Sequence, residues 1–347
     1  MEAIYAVIPD ERVLTIEREE INPADLKPQE ILVEAETTVV SAGTELANFT
    51  ALSPGVWIPG SWNAYPWRPG YGLVGHVRAV GSETLGLTEG QRVFCFGKHA
   101  SFQRYEVAQN IPYGAALPLD EDLPAIQVIM ARMALIGITG PQVTEFESGD
   151  TVAVFGLGLV GNFAAQLYQH GGAKVIGLDV IRARCGIAKS TGLETVLDVK
   201  VEEQVEAILD LTDGKGVDVA VDAVGNSAVI EACVEVCAPH GQVILLGSPR
   251  VAHETNVTKM LRSMHHRWIV IRGALEWRLP PHPVRGSKHS IASNLQLILD
   301  LIQNGKLHVE PLVTHVIEPA QLLEAYHGLL DQKESYLGVV VDWRENV

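Results

Sequence analysis

The sequence predicts an α/β chain in two parts, a β-rich first part followed by a doubly wound parallel sheet with helices on both faces. Three observations carry this reading. Residues 1 to about 120 hold short Val- and Ile-rich runs cut by Gly, Pro and Asp; from about 130 apolar strands alternate with amphipathic helices; and a glycine-rich turn joins the first of those strands to its helix. At 347 residues the chain is long for one core, and a 47% share of hydrophobic residues is ample for two.

The strands of the first part are "RVLTIE", "EILVEAETTVV", "GLVGHVRAV" and "RVFCF". The second part runs "TVAVFGLG", "GNFAAQLYQHGG", "AKVIGLD", "VEEQVEAILDLT", "VDVAVDAVG", "AVIEACVEVCAPHG", "QVILLGS" and "WIVIRGAL". Strand, helix, strand in regular succession implies a parallel sheet covered on both sides. A Pro-rich connector, "RLPPHPVRGSK", then leads to a helix ("SIASNLQLILDLIQNG"), a strand ("VTHVIE"), a second helix and a last strand ("YLGVVVDW"). These tail elements are expected to rejoin the first part, giving domains of 1–129 with 278–347 and of 130–277.

Composition removes several classes of function. The 26 Lys and Arg against 42 Asp and Glu give a formal charge of −16, which repels phosphate backbones and anionic lipid surfaces. Nucleic acid and membrane partners are not expected. The N-terminal "MEAIYAVIPDERVLTIEREE" reads as no secretion signal, and no later run reads as continuous enough to span a bilayer, so a cytoplasmic protein is expected. The four cysteines have neither the density of a disulfide scaffold nor the CxxC pairs of a structural zinc site. Cys233 and Cys237 are read as one face of a helix, packed in the core.

The strongest signal is "TVAVFGLGLVGNFAAQL", in which Gly156, Gly158 and Gly161 form GxGxxG between an apolar strand and a helix. The first Gly permits the tight turn, the second lets a pyrophosphate approach the backbone, and the third lets helix pack on strand, the fingerprint of a Rossmann dinucleotide site. Leu159, Val160 and Gly161 open the helix, whose free N–H groups face the phosphates. The next strand ends in Asp179, a carboxylate suited to both ribose hydroxyls and repelling a 2′-phosphate. NAD is therefore preferred to NADP, although Arg182 and Arg184 follow closely and are able to meet a phosphate.

With these features on the page, the chain resembles the medium-chain dehydrogenase/reductase superfamily, the zinc alcohol dehydrogenase family in its broad sense. "VSAGTEL" looks like that family's C-G-T-D-L segment, "PGYGLVGHVRAVG" like its G-H-E-x-x-G-x-V-x-x-V-G, and "GLTEGQRVFCFG" like its G-D-R-V strand. The resemblance covers essentially the whole chain and implies a GroES-like catalytic domain completed by the C-terminal segment, a nicotinamide cofactor, a small-molecule substrate, and a homodimer or homotetramer. It also implies that Arg184 meets the cofactor and that the backbones at Gly225, Gly247 and Ala274 line the nicotinamide, with Val224 and Ser248 beside them as further cofactor-binding candidates. The same alignment places Ala42, Tyr71 and a residue near Ile129 where the family has its catalytic zinc ligands, and Gly72 where a ligand's acidic companion stands. None of these side chains supplies the thiolate, imidazole or carboxylate that Zn²⁺ needs. The four-cysteine lobe of the structural zinc is missing too, so both zinc sites are expected to be absent.

Without a metal, alcohol oxidation needs a side chain to take the hydroxyl proton. Thr44 matches the family's hydroxyl position and Glu45 the adjacent acid, while the strand "RVFCFGKHAS" implies that Lys98 and His99 reach the family's substrate pocket. The catalytic candidates are therefore Thr44, Tyr71, Lys98 and His99, with Glu45 orienting them; His99 leads by intrinsic pKa. The competing readings are a helix cap for Thr44, volume filling for Tyr71, and exposed loop positions for Lys98 and His99. "SPGVWIPGSWNAYPWRPGY" concentrates Trp57, Trp62 and Trp67 in a Gly- and Pro-rich loop, which suggests a stacking wall for a sugar, cyclitol or aromatic ring; the competing reading is a mini-core or a subunit interface. The leading function is a zinc-independent, NAD-dependent dehydrogenase interconverting a secondary alcohol and a ketone. A quinone or enoyl (C=C) reductase using NAD(P)H is the runner-up, and a non-catalytic nucleotide-binding protein is the alternative of another class.

Overall fold

A computed structural model describes residues 1–120 and 122–344. In chain order the strands and helices are β1 (Glu2–Asp10), β2 (Val13–Glu20), β3 (Glu30–Val39), α1 (Ala42–Phe49), β4 (Leu73–Val80), β5 (Arg92–Cys95), β6 (Phe102–Glu106), β7 (Ala116–Pro118), α2 (Ala125–Gly137) and α3 (Thr139–Val143). They continue with β8 (Thr151–Phe155), α4 (Leu159–His170), β9 (Lys174–Leu178), α5 (Arg182–Ser190), β10 (Thr195–Leu197), α6 (Gln204–Leu211), β11 (Val217–Asp222), α7 (Ser227–Val236), β12 (Cys237–Leu245), α8 (Val257–Arg267) and β13 (Val270–Gly273). The chain closes with α9 (Ile291–Gln303), β14 (Val313–Ile317), α10 (Leu322–Asp331) and β15 (Gly338–Asp342).

Two compact units result: 1–132 with 277–299 and the segment from 313 onward, and 133–276 with 300–312. The expected division shifts by a few residues at its two boundaries, with 130–132 and 277 in the first unit, and 300–312 groups with the second unit rather than the first. The reason is a reciprocal pair of hydrogen bonds: Gln166 Nε2 donates to the carbonyl of His308, and the His308 N–H donates back to Gln166 Oε1.

The first unit is built on a seven-stranded sheet in the order β14-β15-β3-β4-β5-β7, with β6 also paired to β3. The tail does return to it: β15 joins antiparallel to β3, with Val340 opposite Val39. Trp343, just past β15, is wholly buried, and its indole N–H donates to Thr38 Oγ1 on β3 at 3.0 Å. That bond ties the last strand to the strand that leads into α1.

The second unit holds the six-stranded sheet β10-β9-β8-β11-β12-β13, parallel at every pairing. Its central strands β8, β9 and β11 are largely buried on both faces, which explains why they read as apolar runs without alternation. Val152 and Val154 of β8 pack with Ala164, Ala165 and Tyr168 of α4, whereas Ala153 and Phe155 pack with Ile208 of α6 and Cys233 of α7. Neighbouring residues of one strand thus feed two separate cores, as a period of two requires.

Two further expectations change. The helix carrying Cys233 ends at Val236, so Cys237 opens β12 instead of sharing a helical face with Cys233; both thiols are buried. The reading that no run is continuous enough to span a bilayer fails by length and composition for Ala125–Val143, a helical stretch that is apolar enough but 67% buried inside the protein. Burial of that extent is what a core helix requires.

Candidate active site

The polar constellation of the first unit starts at the β3–α1 junction. Ser41 is the N-cap of α1 and Thr44 lies inside its first turn, so Thr44 is not the cap. Glu45 sits one turn into the helix and is completely buried. Its Oε1 accepts the N–H of Ser41 at 2.7 Å, and its Oε2 accepts from His99 Nε2 at 3.0 Å and from the Tyr326 hydroxyl. On the far side of the imidazole, Nδ1 lies 2.7 Å from Thr38 Oγ1. The Trp343 indole N–H donates to the same hydroxyl, and Nε2 carries the hydrogen that faces the Glu45 carboxylate.

This network answers the question of His99. It is fully buried with both ring nitrogens hydrogen-bonded, so it is not an exposed loop residue. The physical reason is Glu45: a carboxylate removed from water needs donors, and His99 supplies one. Burial by itself pushes the Glu45 carboxyl up, but the charge attraction of His99, together with hydrogen bonds from His99, Tyr326 and the Ser41 N–H, outweighs it and leaves the group below its ordinary value. Burial and the same carboxylate push the Tyr326 phenol well up. Lys98 is pulled down by burial, against the opposing pull of Glu45; its ammonium lies 5.8 Å from the centre of the Trp67 ring.

Tyr71 occupies the half-buried edge of this cluster. Its hydroxyl is hydrogen-bonded to Ser41 Oγ and donates to Thr44 Oγ1 at 3.4 Å, so Thr44 and Tyr71 are brought together as expected, with Ser41 as an unforeseen third hydroxyl. Two more residues escaped the sequence reading. Arg132 of α2, completely buried, places its guanidinium 4.5 Å from the Tyr71 ring centre, and its Nε donates to the Tyr71 carbonyl at 2.9 Å. Trp277 meets Phe96, Tyr113 and Tyr71 edge-on, with ring centres 5.0, 6.3 and 6.4 Å apart. The "ARM" of Arg132 stands inside an apolar helix, a position where a charge is costly without a purpose, and that was the available signal.

The Trp-rich loop divides. Trp67 belongs to the core, paired through its backbone with Ile8 in both directions at 2.8 Å, and is corrected from wall to core residue. Trp57 and Trp62 stay largely exposed, with ring centres 5.1 Å from Tyr65 and 6.0 Å from Trp67 respectively. The aromatic surface beside Tyr71 comes instead from Phe96 and Trp277.

For a catalytic zinc the donor set does not fit. Ala42 and the buried Ile129 offer no donor, Tyr71 offers only a phenol, and a buried guanidinium lies over that phenol's ring, where it would repel a divalent cation. Among the described residues there is no group of three or more His, Cys, Asp or Glu able to hold a metal ion.

A dinucleotide does fit the second unit. Gly156 takes φ +92°, which L side chains rarely adopt, and a Cβ at Gly161 would run into the Gly156 carbonyl, so the turn needs glycine at both places. Gly158 is the N-cap of α4 with no side-chain cap, leaving the N–H groups of Leu159, Val160 and Gly161 for a ligand. Asp179 follows β9; its Oδ2 accepts the Leu157 N–H and its Oδ1 the Ile181 N–H, both at 2.8 Å, and Arg184 approaches it to 3.6 Å. Arg182 pairs instead with Asp198. Asp222, buried at the end of β11, binds the N–H groups of Val224 and Gly225 and so shapes the loop there; burial pushes its carboxyl up against those two bonds. Gly247 packs close against Gly225, Ser248 is exposed, and Ala274 is a buried core residue joined to the Leu245 carbonyl.

Comparison with known proteins agrees with this architecture. Residues 160–278 match the family described as zinc-binding dehydrogenase. The chain is 26% identical to an alcohol dehydrogenase of Cupriavidus necator over 65% of its own length and 58% of that protein's, so it spans under two thirds of that relative. It is 26% identical to D-guloside 3-dehydrogenase of Escherichia coli over 84% of this chain and 86% of that one. The crystal structure of an Escherichia coli oxidoreductase/dehydrogenase of unknown specificity superposes with a TM-score of 0.81 at 17% identity, covering 99% of both chains. Residues 160–278 thus resemble the zinc-binding dehydrogenases, and the chain is similar at 24–26% identity to proteins named as alcohol, butanediol and guloside dehydrogenases.

Replacing His99 by Leu leaves Glu45 buried without its main partner, and is expected to cost about 3–5 kcal/mol. Urea unfolding at neutral pH checks this, with Glu45→Gln added to His99→Leu recovering part of the loss. Because the Glu45 value is depressed on folding, its stabilisation is present above the ordinary carboxylate range and disappears as pH falls through the lower folded value.

Proposed function

We propose that the protein is a zinc-independent, NAD-dependent dehydrogenase that interconverts a secondary alcohol and a ketone on a ring-containing small molecule. The observation that carries this is the Tyr71 hydroxyl, half-buried and tied to Ser41 and Thr44, while Glu45 and His99 behind it are sealed from solvent. Of the nominated groups, Tyr71 is the one whose titratable proton meets two further hydroxyls, Ser41 and Thr44, with the Trp277 ring beside it. The relatives named as dehydrogenases acting on an alcohol and on a guloside support the reaction class and a sugar-like substrate.

The chemistry that a bound nicotinamide supplies is acceptance of the hydride from the carbinol carbon. The substrate hydroxyl hydrogen-bonds Tyr71, and the phenolate form of Tyr71 takes its proton as the C–H bond breaks, leaving the ketone. Ser41 and Thr44 fix the phenolic oxygen and offer a route onward for the proton. In the reverse direction the neutral phenol returns it to the carbonyl oxygen. Phe96 and Trp277 supply faces on which a ring packs.

Asp179 supports NAD, because a 2′-phosphate would meet its carboxylate, although Arg184 beside it offsets part of that charge. The same reading makes the protein a cytoplasmic homodimer or homotetramer acting on small molecules; four buried, unpaired thiols and the charge of −16 support the compartment and the absence of nucleic-acid or membrane partners.

With a panel of sugars, cyclitols and ring alcohols, Tyr71→Phe should lower turnover by about 10²–10⁴-fold while leaving NAD affinity unchanged. Wild-type rates in that variant would remove Tyr71 from the mechanism, and firm NAD binding without turnover on any substrate would favour a non-catalytic binder. Asp179→Ser should raise the preference for NADP at least about tenfold, the scale of one lost hydrogen bond to a charged group; tighter NADPH than NADH binding in the wild type would instead favour the quinone or enoyl reductase. Metal analysis of washed protein should find well under one zinc per chain, and stoichiometric zinc would contradict the donor set.

A further inference from the structure

Arg132 is the least expected residue in the first unit. It is a permanent cation with no exposed surface, on a helix otherwise made of Ile, Val, Met, Ala and Leu around it. Its guanidinium carbon lies 4.5 Å from the centre of Tyr71, 5.1 Å from Phe96 and 5.1 Å from Trp277, inside a box of three aromatic rings. Its Nε is bonded to the backbone carbonyl of Tyr71 itself. Room for the side chain comes from Gly72: a Cβ there would stand 2.7 Å from Arg132 Cγ and 3.2 Å from both its Cβ and Cδ. The glycine that departs from the family's acidic residue and the arginine that fills the space are thus two sides of one arrangement.

We propose that Arg132 is a positioning residue that supplies, as a fixed guanidinium held over Tyr71, the positive charge for which zinc-dependent relatives use a metal. This rests on the reading of Tyr71 as the proton-transfer group. A cation held against the ring favours the anionic form of the phenol, and the Nε bond to the Tyr71 carbonyl sets the ring's place. Arginine suits this role because its planar, weakly hydrated charge stacks on aromatic faces and does not deprotonate.

The other groups around Tyr71 act in both directions. From α1, Glu45 opposes a phenolate, but its charge is already shared among His99, Tyr326 and the Ser41 N–H, while the Ser41 and Thr44 hydroxyls can donate to the phenolic oxygen. From α10, the Tyr326 phenol feels Tyr71 electrostatically and is itself pushed well up, so it stays a neutral donor. Lys98, past β5, adds a second cation on the side of Glu45. Phe96 and Trp277 carry no charge. Arg132 is the only permanent cation in contact with the Tyr71 ring among the described residues.

The test is an ultraviolet titration of tyrosinate absorbance, taken as wild type minus Tyr71→Phe, so that only the Tyr71 phenol is read. It needs no substrate. The midpoint is expected below the ordinary tyrosine value of about 10, and Arg132→Gln should raise it by at least about one pH unit, a tenfold change in the phenol–phenolate equilibrium. Arg132→Lys, which keeps the charge, should stay closer to the wild type. Gly72→Ala keeps the arginine but crowds it off the ring, and should raise the midpoint as Arg132→Gln does; it decides the matter if Arg132→Gln fails to fold by circular dichroism. A wild-type midpoint at or above about 10, or one that Arg132→Gln or Gly72→Ala leaves in place, overturns the inference. An inactive protein with a low, arginine-dependent midpoint keeps the inference and removes the dehydrogenase reading, whereas loss of turnover in Tyr71→Phe with an ordinary midpoint does the reverse.

Discussion

A carboxylate without water organises the first unit. Glu45 lies in a helix of eight residues, too short to hold its own place, and it is anchored by donors from three other parts of the chain: Ser41 at the helix N-cap, His99 after β5, and Tyr326 in α10. An unpaired buried charge is far more costly than any single bond in this set, so the three segments have to meet around it. Behind His99 the chain of bonds continues through Thr38 to the indole of Trp343, which belongs to the last strand. The C-terminal segment is therefore bound into the same polar core that fixes the start of α1.

The consequence for chemistry is a division of labour. The groups with the most familiar acid–base side chains, Glu45 and His99, are buried in the scaffold, and the half-buried phenol in front of them is the group proposed to meet a substrate. Ser41 links the two roles, since its backbone N–H binds Glu45 and its hydroxyl binds Tyr71. A phenol with an ordinary value near 10 is a poor base at neutral pH, which makes the cation beside it more than a packing detail. On the proposed reading, where a zinc ion would polarise the reacting oxygen directly, an arginine behind the tyrosine acts through the tyrosine.

The second unit works by other means. Its ligand features are made of backbone: a turn that only glycine can take, an uncapped helix start, and two carboxylates, Asp179 and Asp222, that each hold a pair of N–H groups in neighbouring loops. Asp179 in particular is not a free carboxylate awaiting a ribose, since it already binds two N–H groups and lies near Arg184. Lone pairs remain on both of its oxygens, so loop building and ligand recognition are compatible in one residue.

Local pattern alone determined the elements of both units, because a strand's period, a helix's period and the backbone freedom of glycine are properties of a few adjacent residues. The GxGxxG turn and the alternation after residue 150 were legible in that way, whereas the missing donors at Ala42 and Tyr71 and the expected return of "YLGVVVDW" drew on the family resemblance. Tertiary structure alone decided which polar residues meet. Nothing in the sequence separates Trp67 in the core from Trp62 on the surface, turns His99 inward to Glu45, or carries Arg132 and Trp277 to Tyr71, because those contacts join residues distant in sequence, and burial arises only when the sheets and helices close over them.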